Sequence, residues 1–354
     1  MINYKFNKRI KDPPQSIWEL LNRIDEIKGR WVGGATLNPQ ALGRLEKSTL
    51  ITSTGASTRI EGAKLSDEDV EKLMRGLSME KFANRDKQEV KGYYELLNNV
   101  FESWRAIPFS ESTIKHFHRE LLKYVEKDKL HRGEYKKTEN KVHMVDEKGQ
   151  SIGVLFDTTP AYLTSKEMLE LVDWTKDALA AKEFHPLLII GNFLVELLNI
   201  HPFQDGNGRI SRILTNLLML HSDYPYVPYI SHEKLVEDNK ADYYIALRKS
   251  QKTIKTDKEN ILAWPEFFLK ITLLQAEQAI DLLSRENIEL LLSPKQLIVW
   301  QYLEDVSEAT PGEISKATKV ARPTVSQSLV VLMRLKKVKR IGQGRTTRYR
   351  KIQD

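Results

Sequence analysis

Residues 201–212 read HPFQDGNGRISR. One imidazole, one carboxylate, an asparagine between two glycines and two guanidinium groups share these twelve positions. His201 has an ordinary pKa near neutrality, which suits a general base. Asp205 offers hard oxygen atoms of the kind that hold Mg2+ against phosphate oxygens. Gly206 and Gly208 give the backbone access to φ > 0 and to a close ligand. Arg209 and Arg212, three apart, project from neighbouring positions of one helix face.

The flanking runs say where this chemistry sits. PLLIIGNFLVELLNI (186–200) and RILTNLLMLH (212–221) both carry helical apolar spacing. Pro202 pushes His201 out of the α region, so the first helix ends there, and the second is expected to begin near Arg209. Gly206-Asn207-Gly208 is then a turn feeding a helix N-terminus, where unpaired N–H groups and the helix dipole attract anions. Cations are unfavourable at that end unless a polyanion joins them. Two arginines therefore point to a multi-phosphate group bound by charge-assisted hydrogen bonds. A G-x-G turn or a histidine before proline is ordinary when alone. Together and in register they describe phosphoryl or nucleotidyl transfer, where positioning and electrostatics carry most of the rate.

These residues resemble the Fic family, whose signature HxFx(D/E)GNGRxxR is matched by His201, Phe203, Asp205, Gly206, Asn207, Gly208, Arg209 and Arg212. The resemblance covers roughly residues 40–285 and implies AMP transfer from ATP to a Tyr, Thr or Ser hydroxyl of a target protein, which can be the chain itself. It implies that His201 deprotonates the hydroxyl, that Asp205 holds Mg2+, and that Gly206, Asn207 and Gly208 hold the α-phosphate. Arg209 and Arg212 would take the distal phosphates, and Phe203 would fix the loop from the core. The hairpin before the signature resembles the family's flap, which pairs with the target as an added strand, and GEYKKTENKVHM (133–144) is expected to include it. Tyr244 matches an adenine-pocket position, with an ordinary helix-core tyrosine as the alternative.

STRIEG (57–62) raises a second question. Thr58 and Glu61 could form a capping box at a helix start. Gly62 argues against it, since glycine commonly follows a helix end, and Ser66 already caps DEDVEKLMRGL. Glu61 then sits at a helix C-terminus, where a carboxylate opposes the dipole and asks for an external cation. By resemblance, Ser57 and Glu61 match the inhibitory motif (S/T)xxxE(G/N), whose glutamate pairs with the second signature arginine, here Arg212.

The remaining chain supplies the frame. Its 354 residues are 41% hydrophobic and 29% charged, and they contain no cysteine, which excludes disulfides and thiolate metal sites. MINYKFNKRIKDPP lacks the apolar core of a secretory signal, and Asn192 and Glu196 interrupt the most apolar stretch. No membrane partner and a cytoplasmic location are expected. SIWELLNRIDEIKG sets Trp18, Leu21, Ile24 and Ile27 at helical spacing, and a second helix starts with Pro39. VHMV and SIGVLF flank DEKGQ as a β-hairpin with Gly149 in its turn. Helical periodicity then continues to about Leu291.

From Ile314 onward twelve Lys or Arg face one acid, a charge of +11 within a net +7. A nucleic-acid partner belongs only there. SPKQLIVWQYLED, TPGEISKATKV (cap Thr310, Pro311 at N1) and RPTVSQSLVVLMRL read as three helices. KRIGQGRTTRYRKI follows as two basic strands around Gly342 and Gly344, the winged helix-turn-helix pattern. Thr324, Ser326 and Gln327 would meet base edges, and Arg345, Arg348 and Arg350 phosphates, with protein docking or a solvated basic edge as alternatives.

The expected fold is mainly α: a Fic-type helical core with a β-hairpin flap, plus a C-terminal winged helix (α/β) domain. The expected domains are 1–85 with the inhibitory motif, 86–288 catalytic, and 289–354 binding DNA or docking. A nucleotide-sensing DNA-binding regulator, a de-AMPylase and a homodimer stay open as alternatives. The intact His201 counts against pure sensing.

Overall fold

A computed structural model of the chain describes residues 5–34, 39–76, 84–145, 151–283, 292–335, 337–342 and 347–352. The chain divides into two compact units, Met1–Gly29 with Glu46–Glu277, and Arg30–Leu45 with Gln278–Asp354. Among the described residues it is mainly helical, with two two-stranded sheets.

The helices in chain order begin with α1 (Gln15–Gly34), α2 (Pro39–Ile60), α3 (Asp67–Met74), α4 (Asn84–Ser103) and α5 (Glu111–Leu121). The buried stripe of α1 is Ile17, Leu21, Ile24 and Ile27. Trp18, grouped with that stripe by spacing, is 41% exposed because one residue turns it about 100° off the face. Ser66 caps α3 in a capping box with Asp69. The hairpin strands β1 (Lys141–Val145) and β2 (Ser151–Asp157) pair antiparallel from Lys141↔Asp157 to Val145↔Ser151. Gly149 and the rest of the expected turn lie outside the described residues.

Next come α6 (Ala161–Ala181), α7 (Pro186–Ile200), α8 (Asn207–His221), α9 (His232–Asp238), α10 (Lys240–Gln251) and α11 (Ala263–Leu283). Every residue of α7 from Leu187 to Ile200 is buried, as is nearly all of α8. A helix apolar on all sides must sit inside a bundle, and α7 packs on α6, α8 and α10 while α4 and α5 cover α8. The polar interruptions of α7 are paired. Glu196 meets Arg9 at 2.7 Å, and the Asn192 amide donates to Phe6 O at 3.0 Å. The two helices that flank the signature loop are thus buried along nearly their whole length. Among the described residues no helix is long and apolar enough to cross a membrane.

The second unit holds α12 (Pro294–Asp305), α13 (Pro311–Thr318) and α14 (Arg322–Arg334), then strands β3 (Val338–Ile341) and β4 (Arg348–Lys351). Val299, Trp300, Leu303, Ile314, Leu329 and Leu332 form its core. Ser293 and Thr310 close capping boxes with Gln296 and Glu313. β3 and β4 pair antiparallel from Val338↔Lys351 to Ile341↔Arg348. Gly344, Arg345 and the expected helix end near Leu291 fall outside the described residues.

Candidate active site

The loop between α7 and α8 turns on two left-handed residues. His201, the C-cap of α7, takes φ 53° and ψ 62°, and Gly206, the N-cap of α8, takes φ 80°. Helix α8 begins at Asn207, two residues before the position expected from spacing. The Asn207 side chain explains the early start. It accepts the Phe203 N–H at 2.9 Å and donates to Phe203 O at 2.8 Å, closing the loop on itself. That side chain is therefore a brace, and Asn207 offers a ligand its first-turn backbone N–H. Phe203 is fully buried and stacks on the His118 ring at 3.9 Å.

His118 is the loop's second anchor. Its Nδ1 accepts the Gly133 N–H at 2.9 Å, so Nε2 carries the proton and donates to Asp205 O at 3.0 Å. Burial pulls its pKa down to about 4, which keeps it neutral. Nothing in the spacing of HFHREL marks this role. His201 is also drawn down to about 4, first by burial and further by the nearby Lys136 ammonium. Its Nδ1 lies 3.4 Å from Leu198 O, a long contact that favours the proton on Nδ1 and leaves Nε2 with a lone pair. A neutral imidazole so placed can accept a proton at physiological pH.

The charged groups form two clusters at the start of α8. In the first, Arg209 pairs with Glu89 at 2.7 Å and with Asp205 at 3.1 Å. Arg85 joins Asp205 at 2.8 Å and Glu89 at 2.8 Å. Burial would raise the Asp205 carboxyl, but Arg209, the Gly206 N–H and Arg85 outweigh it and hold the group below the usual carboxylate range. Arg85 and Glu89 stand four apart on α4, a spacing that reads as an ordinary surface ion pair until the fold brings α8 alongside.

The second cluster joins Arg212 to the end of α2. Arg212 Nε donates to Ser57 Oγ at 2.7 Å, and Nη2 donates to Ser57 O at 2.9 Å and to Glu61 Oε1 at 2.7 Å. Burial would raise the Glu61 carboxyl and lower Arg212. Their mutual attraction overrides both, leaving Glu61 depressed and Arg212 raised. Helix α2 ends at Ile60 with Gly62 at φ 103°, and the buried Thr58 hydroxyl donates to Thr54 O inside that helix, so no capping box starts here. Gly208, expected to take φ > 0, is helical, and its missing side chain serves a different purpose. A Cβ there would lie 2.2 Å from Glu61 Oε1. The glutamate carboxylate occupies the space against that glycine, in the first turn of α8.

The end of α2 is itself tied down. Arg59 bonds both Glu237 carboxylate oxygens at 2.6 and 3.0 Å and Leu65 O at 2.9 Å, and Lys240 Nζ donates to Ile60 O at 2.8 Å. Beneath Arg212 a buried chain runs from Tyr93 Oη to Glu233 at 3.0 Å and from Glu233 to the Asn216 amide at 2.6 Å. On α10 the core tyrosine is Tyr243, buried against Trp264 and Phe267. Tyr244 is half-buried, with Tyr243 at 5.0 Å on one side.

Residues 108–219 match the Fic/DOC family. The chain is 32% identical over 96 residues to protein adenylyltransferase fic-1 of Caenorhabditis briggsae, a match spanning 27% of this chain and 17% of that protein. It is 32% identical over 116 residues to protein adenylyltransferase Fic of Aedes aegypti, 32% of this chain and 20% of that protein. The matched region thus spans about a fifth of the length of these curated relatives. A solved Fic family protein from Desulfovibrio desulfuricans G20 shares the fold with a TM-score of 0.65 at 23% identity, covering 97% of this chain and 98% of that one. Fic-1 from C. elegans gives 0.60 at 20% identity over 75% of this chain and 72% of that one. The Fic/DOC match spans α5 to α8, and the chain as a whole shares its fold with solved Fic family proteins.

Proposed function

We propose that this chain is a protein adenylyltransferase that moves AMP from ATP to a Tyr, Thr or Ser hydroxyl, and that Glu61 holds it off by occupying Arg212. In this reading His201 takes the hydroxyl proton at Nε2, and the oxygen attacks the α-phosphorus. The bond to the β-phosphate oxygen breaks, and pyrophosphate leaves. The first-turn N–H groups of α8 receive the α-phosphate, and Arg209 and Arg212 receive the distal phosphates.

Asp205 fits a cation held mainly by phosphate: it is anionic and 41% exposed, and among the described residues no group of three or more His, Cys, Asp or Glu gathers around it. Mg2+ bound there would neutralise charge between phosphate oxygens. Tyr244 would stack on adenine.

The observation that carries the reading is the placement of a neutral His201 beside a helix N-terminus whose two arginines are both held by carboxylates. Labelling with α-32P-ATP by the wild type, Glu61→Gly and Glu61→Gly/His201→Ala tests it. Label that rises in the single variant and vanishes in the double one is expected. Equal label in all three overturns the assignment.

The tail carries a second reading, a winged helix that binds DNA. Arg322, Ser326 and Gln327 are exposed along α14, while Thr324 is half-buried. Arg348 and Arg350 share Glu308 at 3.6 and 3.3 Å, which lessens what either gives a phosphate. Binding of the full chain to a random duplex should fall steeply between 50 and 200 mM salt. Affinity indifferent to salt counts against this reading and favours protein docking.

A further inference from the structure

The hairpin reaches the signature loop through a buried lysine. Lys136, in the irregular stretch between Gly133 and β1, is 4% exposed. Its three ammonium hydrogens meet three acceptors: Asn140 Oδ1 at 2.8 Å, Thr158 Oγ1 at 2.7 Å and Ile200 O at 3.0 Å. Asn140 directly precedes β1 and Thr158 directly follows β2, so both roots of the hairpin are gripped. Ile200 is the last residue of α7, one position before His201.

Other bonds run the same way. The Lys136 N–H donates to Pro202 O at 2.8 Å, and the Asn140 amide donates to Phe203 O at 2.9 Å. The carbonyls of residues 200, 202 and 203, on both sides of His201, are therefore held by two residues at the hairpin root. His201 stands in the left-handed region, a conformation that a residue with a Cβ keeps only where its surroundings hold it. Burial pulls the Lys136 pKa down to about 8, a cost that an aliphatic side chain of the same length would avoid. A fully bonded ammonium in this position is explained by what it joins.

We propose that Lys136 is a positioning residue for the transfer. It locks the hairpin, whose strands offer backbone to an incoming target segment, to the peptide groups around His201. The target hydroxyl and the imidazole then share one geometry. The inference rests on the nucleotidyl-transfer reading.

The test uses full-length chain in the Glu61→Gly background, self-labelled with α-32P-ATP, with Lys136→Met and Lys136→Arg added. Lys136→Met should cut the labelling rate at saturating ATP at least tenfold while leaving the KM for ATP within twofold. Lys136→Arg should recover most of the rate. A Lys136→Met rate within twofold of its parent overturns the proposal, and so does a loss matched by a rise in the KM for ATP. If the parent itself fails to label, the transfer reading fails, and hydrogen exchange judges the clasp alone. Faster exchange at the amides of β1 and β2 in Lys136→Met supports it, and unchanged exchange refutes it. Should that variant not fold, Thr158→Val removes one of the three acceptors and carries the same comparisons.

Discussion

Replacing Glu61 separates the two ways its carboxylate can block the site. The side chain of Arg212 is 4% exposed and that of Glu61 33% exposed, so the contact is sheltered though not sealed from water. A charge-assisted hydrogen bond of this kind contributes about 1.5–3 kcal/mol, and a neutral one about 1 kcal/mol. If ATP must displace Glu61 before its phosphates can seat, removing the side chain should raise the self-labelling rate about ten- to hundredfold at subsaturating ATP. Glu61→Gln keeps an oxygen for Arg212 and still fills the space against Gly208. It removes only the charge, a difference of about 1 kcal/mol, so it should gain about fivefold. Initial rates with α-32P-ATP should therefore rise in the order wild type, Glu61→Gln, Glu61→Gly. Rates for Glu61→Gln equal to those for Glu61→Gly would mean that charge alone blocks the site and that the space against Gly208 is irrelevant. Rates for both variants equal to the wild type would refute the brake.

Three further outcomes follow from the same geometry. Arg59→Ala deletes the clamp on Glu237 and Leu65, which should lower stability by about 1–3 kcal/mol and raise the labelling rate severalfold, checked by urea midpoints beside initial rates. Tyr244→Ala should raise the KM for ATP about tenfold, the worth of one stacked base, with little change in kcat; an unchanged KM would return Tyr244 to an ordinary packing role. His118 and His232 are buried and both drawn down to about 4 from an ordinary 6.5, so the unfolded chain binds protons more readily than the folded one. Their contribution is present above pH 6.5 and is lost as pH falls towards 4, by about 2 kcal/mol for the pair between pH 6.5 and 5.5. A urea midpoint that stays flat across that window would contradict it.

How much was legible in the sequence depended on whether a role is set along the chain or across it. The signature loop could be read because its parts are consecutive: a proline that ends α7, a glycine that takes φ 80°, and a helix start behind it. The end of α2 could be read because Gly62 and Ser66 punctuate it. The capping boxes at Ser66, Ser293 and Thr310 are local in the same sense. Lys136, His118, Tyr93, Glu89 and Glu233 were not legible, because each owes its role to partners on other helices or strands. A lysine in GEYKK carries no mark of burial until the hairpin root and the end of α7 close on it, nor a glutamate in RDKQE until α8 lies beside it. The roles of Gly208 and Asn207 were read only in part. The space that Gly208 leaves is filled by a side chain 147 positions earlier, and the Asn207 amide turned back to its own loop.

If Glu61 is the brake proposed above, its position also says what kind of event would release it. The backbone on both sides of the contact is anchored. Arg212 sits on a helix buried nearly throughout, with Ser57 fixing its Nε and the Tyr93–Glu233–Asn216 chain packed beneath it. Glu61 lies just past the end of α2, and that end is held by Arg59 to α9 and by Lys240 to the last helical carbonyl. The same lysine stands 6.0 Å over the Tyr244 ring, one helical turn away on α10. The proposed brake and the site proposed for adenine therefore share a side chain, although their functional groups come from segments far apart in sequence. A ligand competing only for Arg212 works against both sets of anchors. Anything that draws Lys240 or Glu237 away would loosen the end of α2 directly, so under the proposed function release would be controlled from α9 and from α10, which also carries Tyr244.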